Sequence, residues 1–246
     1  MVSKVAIITG GSCGIGKATV IKLASQNTKV AAVYNKSRVE AEKLVNSILD
    51  QGDDAIAVKA NVSNEKDVQA LVKTVIDKWG RIDFLVNCAG IMKDSLVEDM
   101  SLKEWDQVID ANLKGVFLMT KYCIPHLKKS NSPRIIILSS QAAFTGSSMH
   151  AHYAASKAGL HGFAYSLAIE MGKYNMTVNI ISPGRIMTDM ISNRWDSRIS
   201  KQVNKMPLKR LGKPEEIAVL IAFLCSNEAG YITGANINIS GGMLMG

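Results

Sequence analysis

KVAIITGGSCGIGKAT, residues 4–19, decides the fold: an apolar run stops at a glycine cluster, and a helix-forming stretch follows at once. Glycines stand at positions 10, 14 and 16. Glycine lets a chain turn tightly and lets a phosphate approach the backbone with no Cβ in the way. The helix that follows aims its first N–H groups and the positive end of its dipole at the same place. The spacing is G-x-x-x-G-x-G rather than the commoner dinucleotide pattern G-x-G-x-x-G, so the loop alone reads either as a turn or as a phosphate cradle. Its position at the start of a strand–helix–strand unit favours the cradle.

Further apolar runs repeat the theme. KVAAVY (29–34), AIAVKA (55–60), IDFLVN (82–87), RIIILS (134–139), TVNIIS (177–182) and ANINIS (235–240) read as strands. Several are apolar throughout, as in strands covered on both faces of a parallel sheet. Helix-length segments separate them. Ser37-x-x-Glu40 and Ser101-x-x-Glu104 fit capping boxes, and Pro214 followed by Glu215 and Glu216 suits a first helical turn. No repeat, linker or composition shift marks a boundary. The pattern predicts an α/β chain folded as one doubly wound domain over residues 1–246, with ligands beyond the carboxyl ends of the strands.

Composition sets the outer limits. With 246 residues, 47% of them hydrophobic and 20% charged, the chain has a full core and no disorder signature. IAVLIAFLC is about half the length of a membrane span, and the first apolar run breaks at glycine, unlike a secretion signal. Cys13, Cys88, Cys123 and Cys225 are scattered without metal-ligand spacing. The expectation is a soluble, cytoplasmic protein in a reducing compartment, with no metal site. A net charge of +8 favours anionic ligands, while no zinc-finger, RNP or basic recognition-helix pattern points to nucleic acid.

The second strand ends in VYNKSRVE. An acidic residue here would bind the ribose 2′-hydroxyl of NAD. The loop offers Asn35, Lys36, Ser37 and Arg38 instead, which suits the 2′-phosphate of NADPH; the plainer reading is solvated surface charge. Further along, Tyr153 and Lys157 stand four apart at the start of a helical segment and so share a face. A cation 4–5 Å from a phenol stabilises its anion by roughly 3–4 kcal/mol at an effective dielectric near 20, about two to three pKa units. Such a tyrosine can serve as acid or base for a carbonyl/alcohol pair. Ser140, at the end of a strand, can donate to the same oxygen, with Ser139 the less favoured neighbour. Asn112 lies among apolar helical residues and reads equally as a functional group or as a buried amide bonding backbone.

Together, TGGSCGIG, NCAG (87–90), Asn112, Ser140, YAASK, SPGRIMTDM (182–190) and YITGANINISGG occur in an order and at spacings that resemble the short-chain dehydrogenase/reductase family, from Val5 to about Gly242. The resemblance implies a seven-stranded, mostly parallel Rossmann-type sheet and, usually, a homotetramer. It implies Tyr153 as the acid/base, Ser140 as the carbonyl-polarising residue, Lys157 as ribose ligand and tuner of the tyrosine, and Asn112 as holder of a relay water. Around the cofactor it puts Gly10, Gly11, Ser12, Cys13, Gly14, Ile15, Gly16, Asn61, Val62, Asn87, Ala89, Gly90, Pro183, Gly184, Ile186 and Thr188. The loop after the second strand favours NADP(H); Cys13, standing where NADPH-preferring members often carry a cation, keeps NAD(H) as the second option.

Within the family the chain most resembles the 3-oxoacyl-[acyl-carrier-protein] reductases, through GIMKDSLVEDMSLKEWDQVIDANLKGVF, PLKRLGKPEEIA and the terminal motif. This implies a β-ketoacyl thioester substrate and an acidic carrier protein meeting Lys128, Lys129 and Lys173. His150 stands where these reductases commonly have glutamine, and either touches substrate or caps its helix. A sugar, polyol or other secondary-alcohol dehydrogenase is the first alternative, and a non-catalytic cofactor-binding scaffold the second.

Overall fold

The computed structural model describes residues 3–188 and 203–245. Seven strands form one sheet in the order β3-β2-β1-β4-β5-β6-β7, and every neighbouring pair is parallel. They are β1 (Lys4–Thr9), β2 (Thr28–Tyr34), β3 (Ala55–Lys59), β4 (Phe84–Asn87), β5 (Arg134–Leu138), β6 (Thr177–Pro183) and β7 (Asn236–Ile239). Each predicted strand is present, with its ends within two residues of those expected.

The runs are apolar throughout because both faces are covered. Val5, Ile7, Leu85, Ile135, Ile137, Val178 and Ile180 pack on one side against α3 (Glu65–Trp79), α5 (Gly115–Leu127) and α7 (Ala151–Met171). Ala6, Ile8, Phe84, Val86, Ile136, Leu138 and Ile181 face the other way, onto α1 (Gly14–Ala24), α2 (Arg38–Leu49) and α8 (Pro214–Cys225). Burying one side chain of isoleucine size contributes about 2 kcal/mol, so a polar substitution on either face is disruptive. IAVLIAFLC belongs to α8. No helix among the described residues is long and apolar enough to cross a membrane.

One predicted cap forms and one does not. Ser101 and Glu104 exchange the reciprocal bonds of a capping box at α4 (Leu102–Ile109). Ser37 precedes α2 but its hydroxyl makes no cap bond, because its backbone (φ −85, ψ 65) leaves the extended N-cap geometry. Between α4 and α5 a π turn (Asp110–Lys114) shifts the helical register, a device common at functional sites. Asn112 sits in it.

Candidate active site

Segments following β1, β4, β5 and β6 meet at the carboxyl edge of the sheet and enclose a cleft of about 280 Å³. The strand order reverses direction beside β1, which is where doubly wound sheets open a crevice. Gly10, Cys13, Gly14, Ile15 and Gly16 line one wall of the cleft; Cys88, Ala89 and Gly90 line another; Pro183, Gly184, Ile186 and Thr188 a third. Asp189 and Met190, the end of one sequence motif, lie outside the described residues, as does Gly246.

The glycine loop needs its glycines for stated reasons. Gly14 has φ +50, where an L side chain is strained. A Cβ on Gly16 would lie 2.0 Å from the Gly10 carbonyl oxygen, so the helix can start this close to the turn only without one. Thr9 was not singled out by sequence, yet its buried Oγ1 accepts the Cys88 and Ala89 N–H groups, both at 3.0 Å. It locks the end of β4 to the end of β1. A threonine just before a glycine cluster carried no separate signal.

Ser140, Tyr153 and Lys157 line the same cleft. Ser139 differs from its neighbour. Its hydroxyl donates to the Lys157 carbonyl at 3.0 Å and lies 2.9 Å from the His161 ring nitrogen, so it is spent on the core. Burial raises the Tyr153 phenol above its ordinary range, and a hydrogen bond with Ser140 works against that. Burial pushes Lys157 down to about 8. Its Nζ donates to the Leu138 carbonyl at 2.7 Å and lies 5.8 Å from the Tyr153 ring centroid. Burial thus sets the direction of the phenol's shift, and the Lys157 ammonium is turned toward a carbonyl.

Asn112 is fully buried. Its Nδ2 donates to the Ile91 carbonyl at 2.9 Å and to Ser156 Oγ at 3.0 Å, while Oδ1 accepts the Ile91 N–H at 2.8 Å. It thus fixes the segment after β4. Its Oδ1 and Lys157 Nζ lie 3.2 and 3.5 Å from the point a Gly90 Cβ would occupy, so glycine keeps the space between them open.

Some predicted residues lie elsewhere. Asn35, Lys36, Ser37 and Arg38 are not in the cleft wall; Arg38 Nε donates to Glu42 Oε1 at 2.7 Å on the surface. Asn61 Oδ1 accepts from the Ser63 N–H and Oγ at 3.2 and 2.8 Å, a local turn. Val62 packs on Gly115, where a Cβ would meet it at 2.8 Å. Gly11 and Ser12 do not line the cleft; Gly11 N–H donates to the Val33 carbonyl at 2.9 Å and Ser12 is buried. Asn87 is buried, and neither of its amide atoms has a hydrogen-bond partner among the described residues. A buried amide without a partner calls for a water, an ion or a ligand group to complete it, and Asn87 directly precedes Cys88 on the cleft wall.

His150 lines the cleft and makes no side-chain cap bond, so it does not cap its helix. Its Nε2 lies 2.7 Å from Asp94 Oδ1 and its Nδ1 2.9 Å from Ser147 Oγ. Asp94 is 56 residues away in sequence, so no local pattern announced it. Burial pushes the Cys88 thiol up to about 12, away from the reactive thiolate form.

A family model described as "Enoyl-(Acyl carrier protein) reductase" matches residues 10–244. The chain belongs to the short-chain dehydrogenase/reductase family. It is 45% identical to a 3-oxoacyl-[acyl-carrier-protein] reductase of Synechocystis sp., covering 100% of this chain and 98% of that protein. It is 40% identical to the 3-oxoacyl-[acyl-carrier-protein] reductase FabG of Staphylococcus aureus, covering 99% of each. Among solved structures, a dehydrogenase/reductase from Sinorhizobium meliloti superposes with a TM-score of 0.94 at 30% identity, covering 100% and 96%. A short-chain dehydrogenase from Burkholderia cenocepacia, solved in complex with NADP, has a TM-score of 0.93 at 34% identity, covering 98% and 97%. Short-chain dehydrogenases/reductases bind NAD(P), and the glycine loop, the orphaned Asn87 amide and the buried Lys157 ammonium fit such a group.

Proposed function

We propose that the protein reduces the 3-oxo group of an acyl thioester to a 3-hydroxyl group with NADPH. The observation that carries this reading is the pairing of Ser140 and Tyr153 hydroxyls in one cleft, with Lys157 behind them. NADPH, held by the glycine loop and Lys157, would supply the hydride that the carbonyl carbon takes. The Ser140 hydroxyl holds the carbonyl oxygen and stabilises the charge it gains. Tyr153 gives that oxygen its proton, and burial keeps the phenol protonated at neutral pH, the form a reduction needs. Lys157 has ammonium protons left over for ribose oxygens and for recharging the tyrosine. The open space at Gly90, between Lys157 Nζ and Asn112 Oδ1, suits a relay water.

The preference for NADP(H) over NAD(H) rests on Lys36 and Arg38 in place of an acid, and on the NADP bound to the Burkholderia relative. The glycine loop, Asn61, Val62, Asn87, Ala89, Gly90 and the 183–188 segment are assigned to the cofactor. The full-length relatives are named for carbonyl reduction, whereas the family model's description names reduction of a C=C bond. Two hydroxyls converging on one point favour a carbonyl oxygen. For an acyl carrier protein, Lys128 and Lys173 offer a basic patch, their Nζ atoms 4.2 and 5.4 Å from the Tyr174 ring centroid. Exposed Phe117 on α5 and Ile169 on α7 suit burial in a homotetramer, and a cytoplasmic location fits the reduced cysteines.

The test is a panel of carbonyl substrates followed at the NADPH absorbance. Turnover of acetoacetyl-CoA or a β-ketoacyl carrier protein is expected. No thioester turnover but clear oxidation of a sugar or polyol would overturn the substrate. Cofactor binding with no turnover of any carbonyl would mean a scaffold.

A further inference from the structure

Ser147, His150 and Asp94 form a hydrogen-bonded chain on the wall of the same cleft that holds Ser140 and Tyr153. The Ser147 hydroxyl is 2.9 Å from His150 Nδ1, and His150 Nε2 is 2.7 Å from Asp94 Oδ1. A backbone bond reinforces the chain: the Ser95 N–H donates to the Met149 carbonyl at 2.9 Å. The segment after β4 is thereby clasped to the segment before α7, and the imidazole between them is held at both nitrogens.

The chain has a direction. A carboxylate can only accept, so the proton of the neutral ring resides on Nε2, facing Asp94. Nδ1 is then an acceptor, and the Ser147 hydroxyl gives its one proton to it. With the ring neutral, what Ser147 turns toward the cleft is an oxygen with lone pairs and no hydrogen to donate. The hydroxyl is exposed and lines the cleft, so this oxygen meets whatever extends from the reacting carbonyl toward solvent. Ser140 and Tyr153 are arranged to receive an oxygen; Ser147 is arranged to receive an N–H or O–H.

We propose that Ser147, oriented by His150 and Asp94, accepts a hydrogen bond from the amide N–H of the pantetheine-type arm that carries the acyl group. This rests on the thioester reading above and adds a specificity-determining contact to it. An acyl thioester whose arm bears an amide is thus distinguished from one whose arm is plain alkyl, although the reacting carbonyl is the same.

The experiment compares two substrates, the N-acetylcysteamine and the S-ethyl thioesters of 3-oxobutanoate, in the wild-type enzyme and in Ser147→Ala. They differ in the arm's amide and share the 3-oxo group. One lost neutral hydrogen bond corresponds to a change of about three- to tenfold. The ratio of kcat/KM for the N-acetylcysteamine over the S-ethyl thioester should fall by that factor in Ser147→Ala, with the loss in KM. An unchanged ratio in a variant that still turns both over defeats this assignment alone. A ratio that rises shows that the hydroxyl disfavours the amide arm, and also defeats it. Absence of wild-type turnover with both thioesters defeats the function reading, and this one with it.

Discussion

The two ends of β4 hold buried polar side chains that are treated in opposite ways. Just before the strand, Asp83 is fully buried and surrounded by donors: the Val5 N–H at 2.9 Å, Arg81 at 2.8 and 2.7 Å, Lys4 at 3.5 Å, and Ser130. Burial alone would raise its carboxyl, but the hydrogen bonds from Arg81, Ser130 and Val5, with the Lys4 charge, carry it below the ordinary value. At the strand's last residue, Asn87 is nearly as buried and neither amide atom is bonded. One edge of the sheet is complete in itself. The other is unfinished, and the cleft opens there.

The largest expected effect lies at the unfinished edge. Tyr153→Phe should lower kcat by about a hundred- to ten-thousand-fold, as loss of a positioned proton donor does, while cofactor binding followed by fluorescence persists. Retention of more than a tenth of the activity would remove the tyrosine from its role.

At the complete edge, Asp83→Ala should destabilise the protein by about 3–5 kcal/mol in urea unfolding, because the facing cations and donors lose their partner in a buried site. Asn87→Leu should behave in the opposite way. With both orphaned atoms replaced by an apolar isostere, stability should hold or rise, while KM for the cofactor climbs about tenfold. If Asn87→Leu destabilised as strongly as Asp83→Ala, the contrast between the edges would collapse.

A pH series sharpens the comparison. Burial lowers the pKa of His152 and His161 and, in part, of His126, from the ordinary 6.5. For a group lowered in the folded state, the unfolded chain binds the proton first. Stability is then full above pH 6.5 and falls as the pH drops toward the folded values, by up to about 1.4 kcal/mol per pH unit per group. His152 has no hydrogen-bond partner on either ring nitrogen among the described residues. His152→Leu should flatten the loss between pH 6.5 and 5.5 in urea titrations; an unchanged slope would exclude it as a source. Asp83, lowered from 3.8, adds its own loss only at still lower pH.

The smallest effect is expected from Lys36→Ala/Arg38→Ala. Both cations lie at the surface and Arg38 is paired with Glu42, so the NADPH/NADH preference in kcat/KM should shift by only about fivefold. No shift at all would sink the 2′-phosphate assignment.

The sheet was legible because it follows from local pattern. Apolar runs such as RIIILS bury both faces whatever packs on them, and the spacing of helical segments leaves little choice but parallel strands. The glycine loop was legible too, since Gly14 and Gly16 answer purely backbone demands. Ser140 was preferred over Ser139 on position alone, and the structure spends Ser139 on His161 and the Lys157 carbonyl.

What needed three dimensions was every property set by distant neighbours. Ser37-x-x-Glu40 has the letters of a capping box, but the backbone around it does not give Ser37 the cap geometry. The acidity of Tyr153 could not be read from a lysine four residues on, because burial and the Leu138 carbonyl act on that pair from elsewhere in the sheet. The partnership of His150 with Asp94 spans 56 residues. By itself the sequence determined the order of strands and helices and the place of the glycine loop, since both follow from short-range sterics and hydrophobic period. Only the tertiary structure decided how each group is charged, paired or left waiting, because desolvation and hydrogen bonding depend on what the fold brings alongside.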